Sequence, residues 1–197
     1  MNNTTGTSST SKVEMTYDLT TGLTLKIKDD FNQEIQTEYN DSLLRSTRVL
    51  GVAPFVIPIS ETVYDDTNLT VKVRKQIDET NWNESTAFLD SFGRTKKTQV
   101  KDSNGDVVSE TQYDLLSRVK QVSNPFRVDT NGNPTETVYW TTSSFDELGR
   151  LKFVTSPDNA VVETQYDLAT TGAEIGTVNI VIDQALKQRR SVTNALG

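Results

Sequence analysis

The sequence predicts an all-β fold, organised as an antiparallel meander of hairpins. Three observations support this prediction. Short runs alternate apolar and polar residues, and turn-forming residues recur between these runs with a period of about 25 residues. No window of about 12 residues has the 3.6-residue periodicity of an amphipathic helix. Alternation with a period of two is typical of strands that bury one face.

The strand-like runs are clearest at four places. LTLKIK (23–28) and LTVKVRKQI (69–77) alternate apolar and polar residues, and VVSETQYD (107–114) is nearly the same peptide as VVETQYD (161–167). Val, Thr and Tyr dominate the last two runs, and these residues are enriched in strands. In the first two runs the alternation places the apolar residues on one face: Leu23, Leu25, Ile27, Leu69, Val71 and Val73.

One kind of turn begins with an aromatic residue followed by Asp, as in YDLLSR (113–118) and FDELGR (145–150). An Asp at the first turn position accepts hydrogen bonds from backbone N–H groups further along, and Gly near the end adopts positive φ without a steric penalty. We expect the aromatic residue to pack inward and the Arg to open the next strand. The pairs are Tyr17-Asp18, Tyr39-Asn40, Tyr64-Asp65, Leu89-Asp90, Tyr113-Asp114, Phe145-Asp146 and Tyr166-Asp167.

A second, polar kind of turn alternates with the first. Its members include KDSNGD (101–106) and VDTNGN (128–133), in which the Asn104-Gly105 and Asn131-Gly132 pairs are strong hairpin signals. Each period is therefore expected to contain one hairpin and one tight turn, which together produce the meander.

These motifs resemble the YD-repeat or RHS-repeat family, whose motif is roughly Y-D-x-x-G-R followed by an alternating strand and a polar hairpin. The clearest matches are Phe145-Asp146 with Gly149-Arg150, and Tyr113-Asp114 with Arg118, where Ser117 replaces the glycine. Tyr17-Asp18 and Tyr166-Asp167 match the aromatic-acid pair. The resemblance covers most of residues 13–197.

The resemblance implies a curved sheet or a section of a β-shell, with the chain as part of a longer repeat array. In the family such shells belong to secreted or surface bacterial proteins and enclose a toxin or serve adhesion. It therefore implies a non-catalytic structural module, extracellular or on the bacterial cell surface. The expected partner is the remainder of its own array or a second copy of the chain. A carbohydrate-binding or adhesive β module is the alternative.

Composition excludes several function classes. The chain has no Cys and no His, which excludes thiolate nucleophiles, His-based triads and the usual zinc and copper ligand sets. Its net charge of −7 disfavours nucleic acid and anionic membranes as partners. No apolar run is long enough for a membrane-spanning helix. We expect no enzyme activity, no cofactor and no metal site.

Three aromatic residues are candidates for ligand contact. Trp82 stands in the polar stretch ETNWNES, which reads as a hairpin tip, and Tyr139 and Trp140 read as the end of a strand. Flat aromatic faces stack well on sugar rings, and packing is the other interpretation of all three. Adjacent acids such as Asp29-Asp30 and Asp65-Asp66 lie in predicted turns, which favours turn capping over catalysis.

The domain organisation follows from the same pattern. Residues 1–12 are rich in Asn, Thr and Ser and predict a disordered lead, and residues 13–197 form the repeat domain. The stretch VLGVAPFVIPIS (49–60) departs from the repeat, because Pro54 and Pro58 are incompatible with a central strand. We expect an apolar insertion there, either covering the sheet or binding a partner.

Overall fold

The computed structural model describes residues 12–52, 59–171 and 174–194. These residues form strands and turns only, arranged as an antiparallel meander, so the predicted all-β fold class is confirmed. No helix long and apolar enough to cross a membrane occurs in these ranges. The chain divides into two compact units, Met1–Arg94 and Thr95–Gly197. Residues 1–11 of the predicted lead, and residues 53–58 of the apolar stretch, lie outside the described residues.

Unit 1 contains seven described strands, each paired antiparallel with the next. They are β1 (Glu14–Tyr17), β2 (Thr24–Lys28), β3 (Glu34–Glu38), β4 (Arg48–Val52), β5 (Ser60–Asp65), β6 (Thr70–Gln76) and β7 (Trp82–Leu89). Residues 49–52 of the predicted insertion are part of β4, which pairs with β3 and β5. Leu69, expected in a strand, lies in the turn before β6 with a φ of 52°.

A row of alternating charges crosses five strands of unit 1. The register places Glu38 opposite Arg48, Arg48 opposite Glu61, Glu61 opposite Arg74 and Arg74 opposite Glu84. Arg74 Nε donates to Glu61 Oε2 at 2.6 Å, and the Arg48 guanidinium lies 3.5 Å from Glu61 and 3.7 Å from Glu38. A slip of one residue would carry a strand's charges to the other face, so the row helps to fix the register.

Unit 2 contains nine described strands, most of which pair antiparallel with the next strand in sequence. They are β8 (Thr95–Val100), β9 (Val107–Tyr113), β10 (Val119–Ser123), β11 (Phe126–Arg127), β12 (Trp140–Phe145), β13 (Leu151–Thr155), β14 (Val161–Thr171), β15 (Glu174–Ile182) and β16 (Gln188–Thr193). β10 pairs directly with β12, and the short β11 between them in sequence pairs instead with β9. The excursion over residues 124–139 explains why the spacing from Tyr113 to Phe145 is the longest of the series.

This excursion carries two of the four buried apolar residues in the described part of the chain; of the other two, Val108 lies in β9 and Val178 in β15. Phe126 (4% exposed) and Val128 (3%) pack with Val108 (0%) of β9, and Val138 adds a partly buried side chain. In the described part of unit 1 no apolar residue reaches this degree of burial. Cross-strand pairs and turn contacts therefore carry more of the stability there than a closed core does.

Candidate functional site

In three of the loops the Asp that begins the turn, here called the turn acid, accepts hydrogen bonds from two backbone N–H groups. Between β9 and β10, Asp114 Oδ1 accepts the N–H of Leu116 and of Arg118, each at 2.9 Å. These bonds satisfy donors within the loop and hold it in one conformation. The same pair of bonds runs to Asp90 from Phe92 and Arg94, and to Asp146 from Leu148 and Arg150.

The fourth residue of each of these turns adopts positive φ. Gly93 has a φ of 77°, Ser117 of 66° and Gly149 of 80°. The N–H of each donates to the carbonyl of its own turn acid at 2.9 or 3.0 Å. A tight turn followed by a left-handed residue is a common three-residue hairpin loop. Ser117 adopts this conformation without the steric freedom of glycine, at a cost of about 1 kcal/mol.

The polar turns use the same loop, although the sequence suggested a second kind. Asp129 Oδ1 accepts the N–H of Asn131 and of Asn133 at 2.8 Å, and only Gly132 of the Asn-Gly pair has positive φ, at 83°. Asp183 caps its loop in the same manner, with Leu186 at 61°. The loops of Asp129 and Asp183 therefore share the backbone of the Asp90, Asp114 and Asp146 turns and differ from them in the surrounding side chains.

In the turns of Asp90, Asp114 and Asp146 an arginine follows the acid by four residues and binds it. Arg118 Nε donates to Asp114 Oδ2 at 2.7 Å, and its Nη2 lies 2.6 Å from the same oxygen. Equivalent pairs join Arg94 to Asp90 and Arg150 to Asp146. Charge-assisted bonds from a planar guanidinium fix its orientation as well as its position.

The oriented guanidinium lies over an aromatic ring of a neighbouring strand. Arg118 is 4.2 Å from the ring centroid of Phe145, and Arg150 is 4.2 Å from that of Tyr166. In unit 1, Arg45 is 4.0 Å from the ring of Tyr64. A cation at this distance is attracted to the ring face and also covers it from water. The arginine thus links its own turn to the aromatic residue of the next aromatic-acid pair in the chain.

Tyrosine hydroxyls add a second link at the same place. Tyr166 Oη donates to the carbonyl of Leu151 at 2.9 Å, and Leu151 directly follows Arg150. The same bond, to the residue after the arginine position, recurs at 2.9 to 3.2 Å from Tyr39 to Thr24, from Tyr64 to Ser46 and from Tyr113 to Thr95. We call the assembly of turn acid, arginine and neighbouring aromatic residue the repeat unit.

The hydrogen bonds lower the pKa of the turn acids. At Asp41 the Arg45 guanidinium, helped by backbone N–H groups, lowers the pKa to about 2. At Asp114 and Asp146 desolvation raises the pKa, but the combined bonds from Arg118 and Arg150 outweigh it and the net shift is downward. A general acid requires a raised pKa at neutral pH. These carboxylates are ionised structural anions.

Two of the aromatic-acid pairs differ from the sequence expectation. After Tyr39 the turn acid is Asp41 and not Asn40, because Asp41 accepts the N–H of Leu43 and binds Arg45. Asp41-Ser-Leu-Leu-Arg45 has the acid-to-arginine spacing of Asp114-Leu-Leu-Ser-Arg118, and that spacing is the signal that sequence reasoning missed. Arg45 also binds Asp66 of the following turn at 2.7 Å.

Asp167 is the other departure, because it lies inside β14 and not in a turn. After Asp18 the left-handed glycine, Gly22, comes four positions later, whereas after Asp167 the next glycine comes five positions later. Thr171, at the position that corresponds to Gly22, is β-branched and disfavours positive φ. Tyr166 nevertheless keeps its contacts with Arg150 and Leu151. Tyr17 is 47% exposed, and its hydroxyl contacts Met15 Sδ at 3.0 Å.

The three candidate ligand-contact residues do not lie at the positions in strands and turns that the sequence predicted. Trp82 is the first residue of β7 and not a hairpin tip; it is half-buried, with the Arg74 guanidinium 4.6 Å from its ring. Trp140 begins β12 and does not end a strand, and it is also half-buried. Tyr139 precedes it and is 54% exposed. Trp82 lies in unit 1 and the other two in unit 2.

The described surface offers little for chemistry. No group of three or more acidic side chains there is placed to hold a metal ion. A depression of about 330 Å³ over β3, β4 and β5 is lined by charged residues that include Glu38, Arg48 and Glu61, whose carboxylates face the arginine. The acids Asp65 and Asp66 act separately, since Asp65 accepts the N–H of Asn68 and Asp66 binds Arg45.

Comparison with known proteins shows the fold. No protein-family model matches the chain, and no curated protein is similar to it in sequence. The crystal structure of TcdB2-TccC3 has a similar fold, with a TM-score of 0.67 over 94% of this chain and 14% sequence identity. The chain spans 12% of the length of that chain. This chain therefore shares the fold of the part of that structure which it matches.

Proposed function

We propose that the chain is a non-catalytic structural module, a section of the wall of a YD/RHS-repeat shell in a secreted or surface bacterial protein. The shell would enclose a toxin or serve adhesion. The observation that carries the proposal is the repeat unit, which is complete at the turns of Asp41, Asp114 and Asp146 and links each of them to an aromatic ring of a neighbouring strand. A wall made of such repeats is stabilised locally, without a large closed core.

The contacts of the turn acids support a structural role. Each of Asp90, Asp114 and Asp146 accepts bonds from two backbone N–H groups and an arginine, with a lowered pKa. Such a carboxylate is committed to its own loop and is a poor proton donor or nucleophile. The RHS-like fold agrees with the resemblance of the turn sequences to YD repeats.

Glycan binding, the alternative function, has narrower support in the geometry. The Arg74 guanidinium occupies one face of the Trp82 ring, and Trp140 is half-buried, which leaves Tyr139 as the most exposed of the three. A sugar ring that stacks needs an open aromatic face. Binding of the labelled chain to a glycan array, compared with Tyr139→Ala and Trp82→Ala, tests this alternative.

The structural proposal is tested on the complete gene product that contains this chain. Electron microscopy of that protein should show a hollow shell, with residues 12–194 forming part of its wall. A protein without an enclosed cavity would overturn the shell proposal. The partner would be the remainder of the repeat array or a second copy, and sedimentation of the isolated chain distinguishes a monomer from self-association.

A further inference from the structure

Two Asn-Gly pairs lie at hairpin tips, and the repeat unit uses neither of them. Asn104-Gly105 is in the loop between β8 and β9, and Asn131-Gly132 is in the loop of the excursion after β11. Both asparagine residues are exposed to solvent. Asn followed by Gly is the dipeptide most prone to lose its side-chain amide, because glycine offers no side chain to obstruct approach to its backbone nitrogen.

The reaction needs only water. The backbone nitrogen of the glycine loses its proton and attacks Cγ of the asparagine, a C–N bond forms, and the side-chain nitrogen leaves as ammonia. The product is a five-membered succinimide. Water then adds to one of its two carbonyls and the ring C–N bond breaks, which gives either aspartate or isoaspartate. No oxidant, reductant or enzyme is involved.

In the folded protein the glycine nitrogen must first leave its turn bond. Gly132 N donates to the carbonyl of Asp129 at 3.0 Å, and Gly105 N donates to that of Asp102 at 3.3 Å. Each peptide unit has to rotate before its nitrogen can reach Cγ of the preceding residue. The rate therefore depends on the free energy of local loop opening.

Contacts outside the loop differ between the two sites. Arg127 Nη1 donates to the carbonyl of Gly105 at 2.7 Å and to Asp102 Oδ1 at 3.1 Å. The N–H of Val128 donates to the carbonyl of Asp106 at 3.0 Å, at the end of the same loop. This loop is thus fastened to the excursion strand beside the buried core.

The loop of Asn131 is held mainly by its own residues. Asp129 accepts the N–H groups of Asn131, Gly132 and Asn133, and its own N–H donates to the carbonyl of Asn133. Beyond it, Val128 pairs with Pro134 as an isolated bridge, and the N–H of Thr135 donates to the carbonyl of Arg127 at 2.9 Å. A Cβ placed on Gly132 would meet no atom within 4 Å, so the backbone has open space in which to rotate.

We propose that Asn131 is a site of spontaneous deamidation in the folded protein, and that Arg127 protects Asn104 from the same reaction. The product at position 131 adds a negative charge beside Asp129. In the isoaspartate form it also adds a methylene group to the backbone of a three-residue loop. The loop geometry that depends on Gly132 at positive φ would then be lost.

The experiment follows both asparagines in one molecule. The full chain is incubated at mildly alkaline pH, folded and in denaturant, and peptide mapping by mass spectrometry measures the loss of each amide. In denaturant the two sites should react at similar rates. In the folded chain Asn131 should react several-fold faster than Asn104. Equal folded rates, faster loss at Asn104, or no loss at Asn131 while folded would overturn the proposal.

A second experiment uses the variant Arg127→Ala to test whether Arg127 protects Asn104. The variant should raise the folded rate at Asn104 roughly fivefold, the effect on an opening equilibrium of losing one ordinary hydrogen bond. The rate at Asn131 in the same molecule serves as the matched control and should not change. An unchanged rate at Asn104 in a folded Arg127→Ala protein would contradict the protective role. If this variant does not fold, the ratio of folded rates in the unaltered chain still decides the proposal.

Discussion

Phe145→Tyr should stabilise the protein, because it restores a hydrogen bond that the neighbouring repeat units possess. Phe145 occupies the aromatic position of its unit, beneath Arg118 at 4.2 Å, but it has no hydroxyl. Continuing the register of Gln121 with Thr142 by two residues places Val119 opposite Ser144. The acceptor in this unit is therefore the carbonyl of Val119, the residue after Arg118.

The repeat unit of Arg150 and Tyr166 supports the assignment of the Val119 carbonyl as the acceptor. The register of Phe153 with Glu163 places Leu151 opposite Gln165, and the next residue, Tyr166, bonds to the Leu151 carbonyl at 2.9 Å. An ordinary hydrogen bond contributes about 0.5–1.5 kcal/mol net. A gain of 1 kcal/mol raises Tm by about 2–4 °C if the whole chain melts in one transition. The rise is about 4–8 °C if residues 95–197 melt as their own unit.

The assay is thermal and urea unfolding of three variants. Phe145→Tyr should raise the free energy of unfolding, and Tyr166→Phe should lower it by a similar amount. Phe92→Tyr is the control, because Phe92 is 79% exposed at a turn tip and a hydroxyl there has no partner to gain. A Phe145→Tyr protein no more stable than the control would refute the register argument. So would a Tyr166→Phe protein as stable as the unaltered chain.

Three further predictions concern the core, the turns and a close backbone contact. Phe126→Ala should lower the free energy of unfolding by about 3–5 kcal/mol, because it removes the central side chain of the Val108–Phe126–Val128 cluster. Phe92→Ala, the control, should lower it by less than about 0.5 kcal/mol. Equal urea midpoints for the two variants would be inconsistent with this core. Acid should destabilise the protein. The pKa of Asp41 is about 2 when folded, and so is that of Asp78, whose Oδ1 accepts the N–H groups of Thr80 and Asn81 in the loop before β7; both values are about 4 when unfolded. Their contribution is complete above about pH 4 and disappears as the pH falls towards 2, so urea midpoints that stay constant across this interval would show that the turn acids do not stabilise the fold. Gly176→Ala should disrupt the pairing of β15 with β16, since a Cβ would overlap the Thr193 carbonyl and lie 2.9 Å from Asn194 Cα; unchanged hydrogen exchange across β16 would argue against this contact.

The sequence contained enough information for the fold class and for most turn acids. An Asp followed three positions later by a residue tolerant of positive φ, and four positions later by Arg, describes a local structure. Such a structure depends on neighbours in the chain and can be inferred from spacing. The turn at Asp41 obeys the same spacing and was missed because alignment on the aromatic residue selected Asn40.

Long-range features could not be inferred in this way. The contact of Arg118 with Phe145 crosses from β10 to β12 and depends on which strands pair and in what register. The excursion over residues 124–139 is similar, since nothing in its sequence shows that Phe126 pairs beside Val108. Trp82 looked like part of a loop because polar residues surround it, but the pairing of Gln76 with Trp82 extends the strand by a residue pair.

The central claim is that, in each complete repeat unit, the arginine and the aromatic residue of the neighbouring strand act as one structural unit. A double-mutant cycle with Arg150→Ala and Tyr166→Leu tests it directly, with the free energy of unfolding as the readout. If the two side chains stabilise each other, the double variant loses less stability than the two single variants together. Additive losses would show that the stacked guanidinium and the ring contribute independently, and would contradict the account of the repeat unit.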